Sequence, residues 1–340
     1  MRAVVTGGAG FLGSALVDRL LAEGHAVDVV DDLSGGSLAN LADARSDRHH
    51  ALKIHRLDVR APELLDLMVR RPPEVVFHLA GHTDPEALAT RPADAVGVHV
   101  AGVVNVLEAA RLAEARKVVV ASSMAVYGPH NDLPVRESEP MAPRTAVGLA
   151  DRAVLEWLEA YRDLHELEFT ALALTSVYGP RQPERAPGAG GVVTEFARRA
   201  VAGEGVTIHG GPDRTVDLVH VDDAVDAFVR AGEWGGGLLV NIGSGVETRL
   251  VDLYRSVTDE VVRRTGVAVP HIDFGPLPSG AAERMAVDSG RAAIQLAWRP
   301  FTPLAEGVAS VVDHVLAGID PPAARRNPRS KAADGSAKLP

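Results

Sequence analysis

The chain has 340 residues, 46 % of them hydrophobic and 24 % charged, which fits one large or two smaller globular domains and excludes a disordered or fibrous chain. No apolar run approaches the roughly 18 residues of a membrane span, and the absence of cysteine excludes disulfides, thiolate metal sites and a cysteine nucleophile. A net charge of −10 argues against non-specific nucleic-acid binding, which rewards clustered cations.

Arg2–Thr6 reads as a short buried strand ending in Gly7-Gly8. Residues 11–23 carry apolar positions at helical spacing and stop at Gly24. Residues 27–30, 52–59, 75–79, 118–121 and 169–177 read as further strands. Residues 93–115 and 146–165 read as long helices. Continuous apolar strands alternating with helices imply an α/β fold, a doubly wound parallel sheet of Rossmann-like type.

The second half is less regular. Residues 180–191 are rich in Pro and Gly and read as a loop. A helix at 192–202 and a strand at 206–210 follow, and 217–231 and 238–243 are expected to return to the sheet. Helices are expected near 248–264, 288–296 and 304–317, and 321–340 reads as a disordered basic tail. The expected division is a dinucleotide-binding domain over 1–175 plus about 213–245, and a smaller C-terminal substrate domain over about 176–212 plus 246–320. The N-terminus lacks the apolar stretch of a secretory signal, so a cytoplasmic location is expected.

Gly7, Gly10 and Gly13 lie between the first strand and the first helix at G-x-x-G-x-x-G spacing. Glycines there let the chain turn tightly and let a pyrophosphate approach the amides of the helix N-terminus. Asp31 ends the second strand about 20 residues on, where a carboxylate accepts from ribose hydroxyls. That carboxylate would repel a 2′-phosphate, so NAD is the expected cofactor. Asp58, after the third strand, is placed to meet the adenine. An Asp at a strand end also caps loops, which is the plain structural alternative for Asp31.

In order along the chain stand TGGAGFLGS at 6–14, VVDDLSGG at 29–36, LDV at 57–59, HLAG at 78–81, NVLEAA at 105–110, SSMAVYG at 122–128, SVYGPRQ at 176–182 and VDLVHVDDAVDA at 216–227, with VDSGRAA and LAWRP near the end. With these motifs the chain resembles the extended short-chain dehydrogenase/reductase family. It is most similar to nucleotide-sugar epimerases and dehydratases of the UDP-glucose or UDP-glucuronate 4-epimerase type, over residues 1 to about 318. The resemblance implies NAD, held by Gly7, Gly10, Phe11, Leu12, Gly13, Asp31, Asp32, Ser34, Gly35, Asp58, Val59, Leu79, Ala80, Gly81, His99 and Arg152. It implies a nucleotide-diphosphate-sugar substrate, met by Ser123, Ser176, Val192, Thr207, Arg214 and Arg284. It also implies a homodimer built on the two long helices, with no nucleic acid, membrane or metal partner.

Family enzymes oxidise a sugar hydroxyl with a Tyr-x-x-x-Lys pair, the Lys lowering the Tyr pKa. Counted back from Glu156, those positions are Gly148 and Arg152. The only tyrosines are Tyr127, Tyr161, Tyr178 and Tyr254, and four residues after each come Asn131, His165, Gln182 and Thr258. The only lysines are Lys53, Lys117, Lys331 and Lys338, so no shifted copy of the pair exists. His99, Ser176 and Val216 also depart from the family's Asn, Asn and Arg. Ser123 matches the serine that binds the reacting hydroxyl, or is a strand-end serine. Arg152 keeps a cation at the Lys position, or faces solvent. His82 is the best replacement acid/base by residue type, or a loop histidine. Three functions stay open: redox chemistry at a sugar carbon, most plausibly C4, at a non-standard site; a catalytically silent NAD-binding homologue or partner subunit; and a ketoreductase acting on a keto-sugar or a non-sugar metabolite.

Overall fold

The computed structural model describes residues 1–46, 51–81, 90–91, 93, 96–130, 132–183, 191–268, 271–278 and 280–318. The tail at 321–340, His82 and most of the 180–191 loop lie outside the described residues.

The first half places β1 (Arg2–Thr6), α1 (Phe11–Ala22), β2 (Ala26–Asp31), the short α2 (Ala42–Arg45), β3 (Leu52–Arg56), α3 (Glu63–Arg70) and β4 (Val75–His78). A single π-turn (Gly97–Ala101) then leads into α4 (Gly102–Leu112), followed by β5 (Lys117–Ser123), α5 (Ala146–His165) and β6 (Glu168–Leu174). The strand expected at 169–177 breaks at Thr175, and β7 (Ser176–Tyr178) leaves the main sheet. The strand expected at 52–59 ends at Arg56, so Asp58 and Val59 sit in the loop beyond it.

The second half contains α6 (Val192–Ala202), β8 (Val206–His209), β9 (Thr215–Val216), β10 (Leu218–His220), α7 (Val221–Glu233), β11 (Leu238–Ile242), β12 (Thr248–Arg249), α8 (Leu250–Thr265), β13 (Ile272–Gly275), α9 (Gly290–Gln295) and α10 (Leu304–Ala317). Only one of the two segments expected to rejoin the sheet does so. β11 pairs parallel with β6, whereas 217–231 is largely α7, and β9 and β10 pair with β12 and β7.

The main sheet is parallel throughout, in the order β11-β6-β5-β4-β1-β2-β3. Its strands are apolar because helices cover both faces. On one face Leu64 and Met68 of α3, Val103, Val106 and Leu107 of α4, and Val154, Leu155 and Leu158 of α5 close the core. On the other, Leu16, Val17 and Leu20 of α1 meet Val225, Phe228 and Ala231 of α7, together with Trp298. A third cluster joins α6, α8 and α10 through Val193, Phe196, Leu253, Val257, Val308 and Val312. Among the described residues no helix is long and apolar enough to cross a membrane.

The strand order reverses between β1 and β4, β2 and β3 lying to one side and β5 and β6 to the other, so the crevice outside their carboxyl ends is where a doubly wound sheet takes its ligand.

Candidate active site

The glycine turn lies at that crevice. Gly7 has φ +69, and a Cβ on it would stand 2.7 Å from the Ala80 nitrogen after β4. A Cβ on Gly13 would stand 2.1 Å from the Gly7 carbonyl oxygen. The turn is therefore folded onto the first turn of α1 and the end of β4, leaving no room for side chains. α1 has no acidic residue in its first turn and no side-chain cap at Gly10, so no side chain competes for its leading amides, which suit an anion. Phe11 and Leu12 open that helix.

Asp31 is buried at the end of β2. Its Oδ2 accepts from the Ala9 amide at 2.9 Å and its Oδ1 from the Leu33 amide at 2.8 Å. These bonds fix the carboxylate against the turn, and each oxygen keeps a lone pair for a further donor. Asp32 is turned elsewhere: its Oδ1 accepts from the Ser34 amide and hydroxyl at 2.8 and 2.6 Å. Gly35 faces open space. Asp58 receives the Arg60 guanidinium, and the carbonyl of Val59 receives the Asn105 side chain at 2.7 Å.

Thr6 and His78, both buried, join β1 to β4 through a 2.8 Å contact between Thr6 Oγ1 and His78 Nδ1. Burial pushes the His78 imidazole down to about 3, with nearby His99 adding to the effect, so it is neutral and belongs to the floor of the crevice. Leu79 and Ala80 continue that floor. His99 lies in the π-turn, and its ring would stand 3.1 Å from a Cβ on Gly81. Single π-turns of this kind recur at functional sites.

Ser123 ends β5 at the same edge and is partly exposed. Its hydroxyl donates to Asp151 Oδ2 at 2.7 Å. Asp151 lies on the inward face of α5, 7 % exposed. Burial raises its carboxyl to about 6, against the lowering effect of the Ser123 hydroxyl and amide. Gly148 is buried one turn earlier, where a Cβ would stand 2.3 Å from the Ala125 carbonyl oxygen. Arg152 is turned away: its guanidinium donates to the Met141 carbonyl at 3.3 Å and pairs with Glu156, with 49 % of the side chain exposed. The residue of α5 that faces the end of β5 is thus Asp151, its neighbour.

The remaining residues are spread over the second half. Ser176 is held by its amide on the Asp217 carbonyl, and Val192 starts α6. Thr207 is exposed on β8. Arg214 donates to the His209 carbonyl at 2.7 Å and has a buried Nε without a partner. Arg284 is bound bidentately by Glu247, at 2.9 and 2.5 Å, so its guanidinium is already engaged. A groove of about 740 Å³ between α6 and α10, lined by Arg198, Glu204 and His314 among others, includes none of these residues. Among the described residues no three His, Asp or Glu side chains converge as metal ligands would.

Sequence reasoning missed three polar anchors. Asp217, fully buried, accepts from Ser244, Gly245 and Val287. Asn241 accepts from the Tyr127 hydroxyl at 2.7 Å and donates to Val135. Asp151 is the third, and it had a signal: helical spacing sets it on one face with Gly148, Val154, Leu155 and Leu158.

The turn, the fixed Asp31 and the buried Thr6 and His78 beneath them fit a dinucleotide, and comparison with known proteins agrees. Residues 3–243 match the model of the NAD dependent epimerase/dehydratase family. The chain is 41 % identical over 316 residues to a UDP-glucose 4-epimerase of Mycolicibacterium smegmatis, covering 92 % of this chain and 98 % of that one. It is 32 % identical to a putative UDP-glucose 4-epimerase of Methanocaldococcus jannaschii, covering 91 % and 97 %. Among solved structures, a Thermotoga maritima UDP-glucose 4-epimerase with UDP-glucose superposes at TM-score 0.85 and 30 % identity, over 93 % of this chain and 99 % of that one. A Thermus thermophilus UDP-glucose 4-epimerase complex with NAD superposes at 0.84 and 29 %, over 94 % and 100 %. A glycine turn with no room for side chains thus coincides with matches along nearly the whole chain, and the protein belongs to the NAD-dependent epimerase/dehydratase family.

Proposed function

We propose that the protein binds NAD and a nucleotide-diphosphate sugar, and carries out redox chemistry at a sugar carbon, C4 in the first instance, with a proton-handling group other than the family's Tyr and Lys. The observation that carries this reading is the juxtaposition at one sheet edge of the Gly7–Gly13 cradle, Asp31 and the partly exposed Ser123 hydroxyl. Relatives named UDP-glucose 4-epimerase support the sugar and the carbon.

Each part has a role in chemical terms. The α1 amides and glycine turn would hold the diphosphate, and Asp31 the adenosine ribose. The bound nicotinamide supplies hydride acceptance and return. Ser123 would take the sugar hydroxyl at the end of β5. The exposed Leu149, Trp157 and Leu164 of α5 and Leu112 of α4 support a homodimer through these helices.

The test is incubation of the NAD-loaded protein with UDP-glucose, UDP-glucuronate and dTDP-4-keto sugars, reading product by chromatography and mass spectrometry. Epimer formation from a UDP-sugar is expected. Turnover of none of them, with NAD demonstrably bound, sinks the reading and supports a silent NAD-binding homologue. That second reading is favoured by Gly148, which stands against the Ala125 backbone with no functional side chain.

A further inference from the structure

We propose that Ser123 and Asp151 form a proton relay, in which Ser123 accepts the proton of the substrate hydroxyl while passing its own to the Asp151 carboxylate behind it. The proposal rests on the reading of the chain as a nicotinamide-dependent sugar oxidoreductase.

Three observations carry it. The Ser123 Oγ–Asp151 Oδ2 distance is 2.7 Å, short enough for direct proton transfer. An ionised carboxylate can only accept, so the Ser123 proton is committed inward and its lone pairs face the exposed side. A substrate hydroxyl meeting Ser123 must then donate, which is the orientation its deprotonation needs. The second observation is position: Ser123 is partly exposed at the carboxyl end of β5, whereas Asp151 is buried and reaches the crevice only through it. The third is the lack of a structural reason for a carboxylate here. Arg152, the adjacent cation, is engaged by Met141 and Glu156. Burial raises the Asp151 carboxyl against the two Ser123 donors, and no cation among the described residues contributes to the shift. An uncompensated buried charge is expensive, and an amide would satisfy Ser123 at lower cost.

The step balances. With a nicotinamide cofactor bound, the carbinol C–H bond would break and its electron pair would go to that cofactor as hydride. The O–H electrons form the carbonyl. The hydroxyl proton joins Ser123 Oγ, and the Ser123 proton joins Asp151 Oδ2, leaving a neutral carboxylic acid. Reversal returns both. Ser123 is the catalytic residue, and Asp151 acts through it.

The test uses the NAD-loaded full chain, its S123A, D151N and D151E variants and the S123A/D151N double variant, with UDP-glucose and UDP-glucuronate. D151N is expected to lose about 10²- to 10⁴-fold in kcat with little change in KM, the size of a lost general base. The double variant is expected to be no worse than the poorer single one, since the pair acts as a unit. The wild-type kcat should rise with pH through a group near 6, and D151N should lose that limb. D151E should recover part of the rate. A readout independent of turnover is the ¹³C carboxyl titration of Asp151, which should move upward in S123A because a donor to the charged form is gone. Circular dichroism excludes unfolded variants from the comparison. D151N turning over within about threefold of wild type with the same pH profile overturns the relay alone, because a general base contributes far more. No conversion of either sugar by the NAD-loaded wild type overturns the functional reading and the relay together.

Discussion

Gly148 on α5 lies against the backbone of Ala125, so closely that a Cβ would stand 2.3 Å from the Ala125 carbonyl oxygen and 2.9 Å from Pro143 Cβ. A tyrosine cannot be set on this backbone without moving α5 or the 124–126 turn. The double substitution Gly148→Tyr with Arg152→Lys is therefore expected to destabilise rather than restore a catalytic pair. Overpacking of this kind costs about 1–3 kcal/mol or more. Thermal unfolding checks it: a lowered Tm without gain of epimerase rate is expected, and a faster enzyme of unchanged Tm would refute the contact.

Gly7→Ala and Gly13→Ala should each empty the dinucleotide site. At Gly7 a side chain would both strain a φ of +69 and press on the backbone of Leu79 and Ala80. The left-handed conformation alone costs a residue with a Cβ roughly 1–2 kcal/mol in the folded chain. NAD content of the purified variants, measured after denaturation, gives the outcome directly. Retention of stoichiometric NAD in Gly7→Ala would count against the cradle.

Much of this was readable from the chain itself. The β1–glycine–α1 unit and α5 at Ala146–His165 stand where the apolar spacing sets them, because both bury a continuous face that local pattern records. Thr175 was not readable as a break, since an apolar run looks the same whether it continues straight or leaves the sheet to pair elsewhere. The stretch 217–231 misled for a similar reason: His220 caps α7 through its side chain, a local signal overshadowed by neighbouring β-branched residues. Motif counting pointed to positions 148 and 152, whereas helix geometry turns 151 inward. Register along a helix is a three-dimensional fact, and one residue of it exchanges an exposed Arg for a buried Asp.

Asp28 of β2 is buried and held by Arg71 at 2.8 and 3.0 Å and His55 at 2.9 Å. Burial raises its carboxyl, but these bonds and charges outweigh it and leave the pKa below the ordinary value. A lowered folded pKa gives stability that is full above the unfolded value near 3.9 and disappears as pH falls through the folded value. Asp28→Asn is thus expected to weaken urea resistance at pH 7 by a few kcal/mol, about the 3–5 kcal/mol scale of a broken buried pair, since Arg71 stays behind unpaired. The deficit should shrink as wild type is acidified below about pH 4. A deficit unchanged at low pH would place the effect in packing instead.

The exposed apolar residues of α5 give a test of assembly. Trp157 is 44 % and Leu164 75 % exposed on the same helix. If α4 and α5 pair with a second copy, Trp157→Glu should convert a dimer into a monomer in light scattering while leaving the fold intact by circular dichroism. Charge at the centre of an apolar interface is what such contacts exclude. An unchanged mass in the variant would move the interface elsewhere.

Asp151 makes a prediction of opposite sign to Asp28. Its folded carboxyl is raised to about 6, chiefly by burial, whereas the unfolded chain titrates at the ordinary value. The folded state therefore holds its proton more tightly, and stability declines as pH rises from about 4 to about 6, then stays reduced. A shift of this size corresponds to about 2–3 kcal/mol at neutral pH. Asp151→Asn keeps the shape and a hydrogen-bonding partner for Ser123 without the charge. It is expected to be at least as stable as wild type at pH 8, with the advantage fading through pH 6 and gone near pH 4. Chemical denaturation across that range reads the difference. A stabilised D151N that has also lost turnover would identify a carboxylate kept for chemistry at the expense of the fold. A destabilised D151N at pH 8 would make the Ser123–Asp151 bond a structural one.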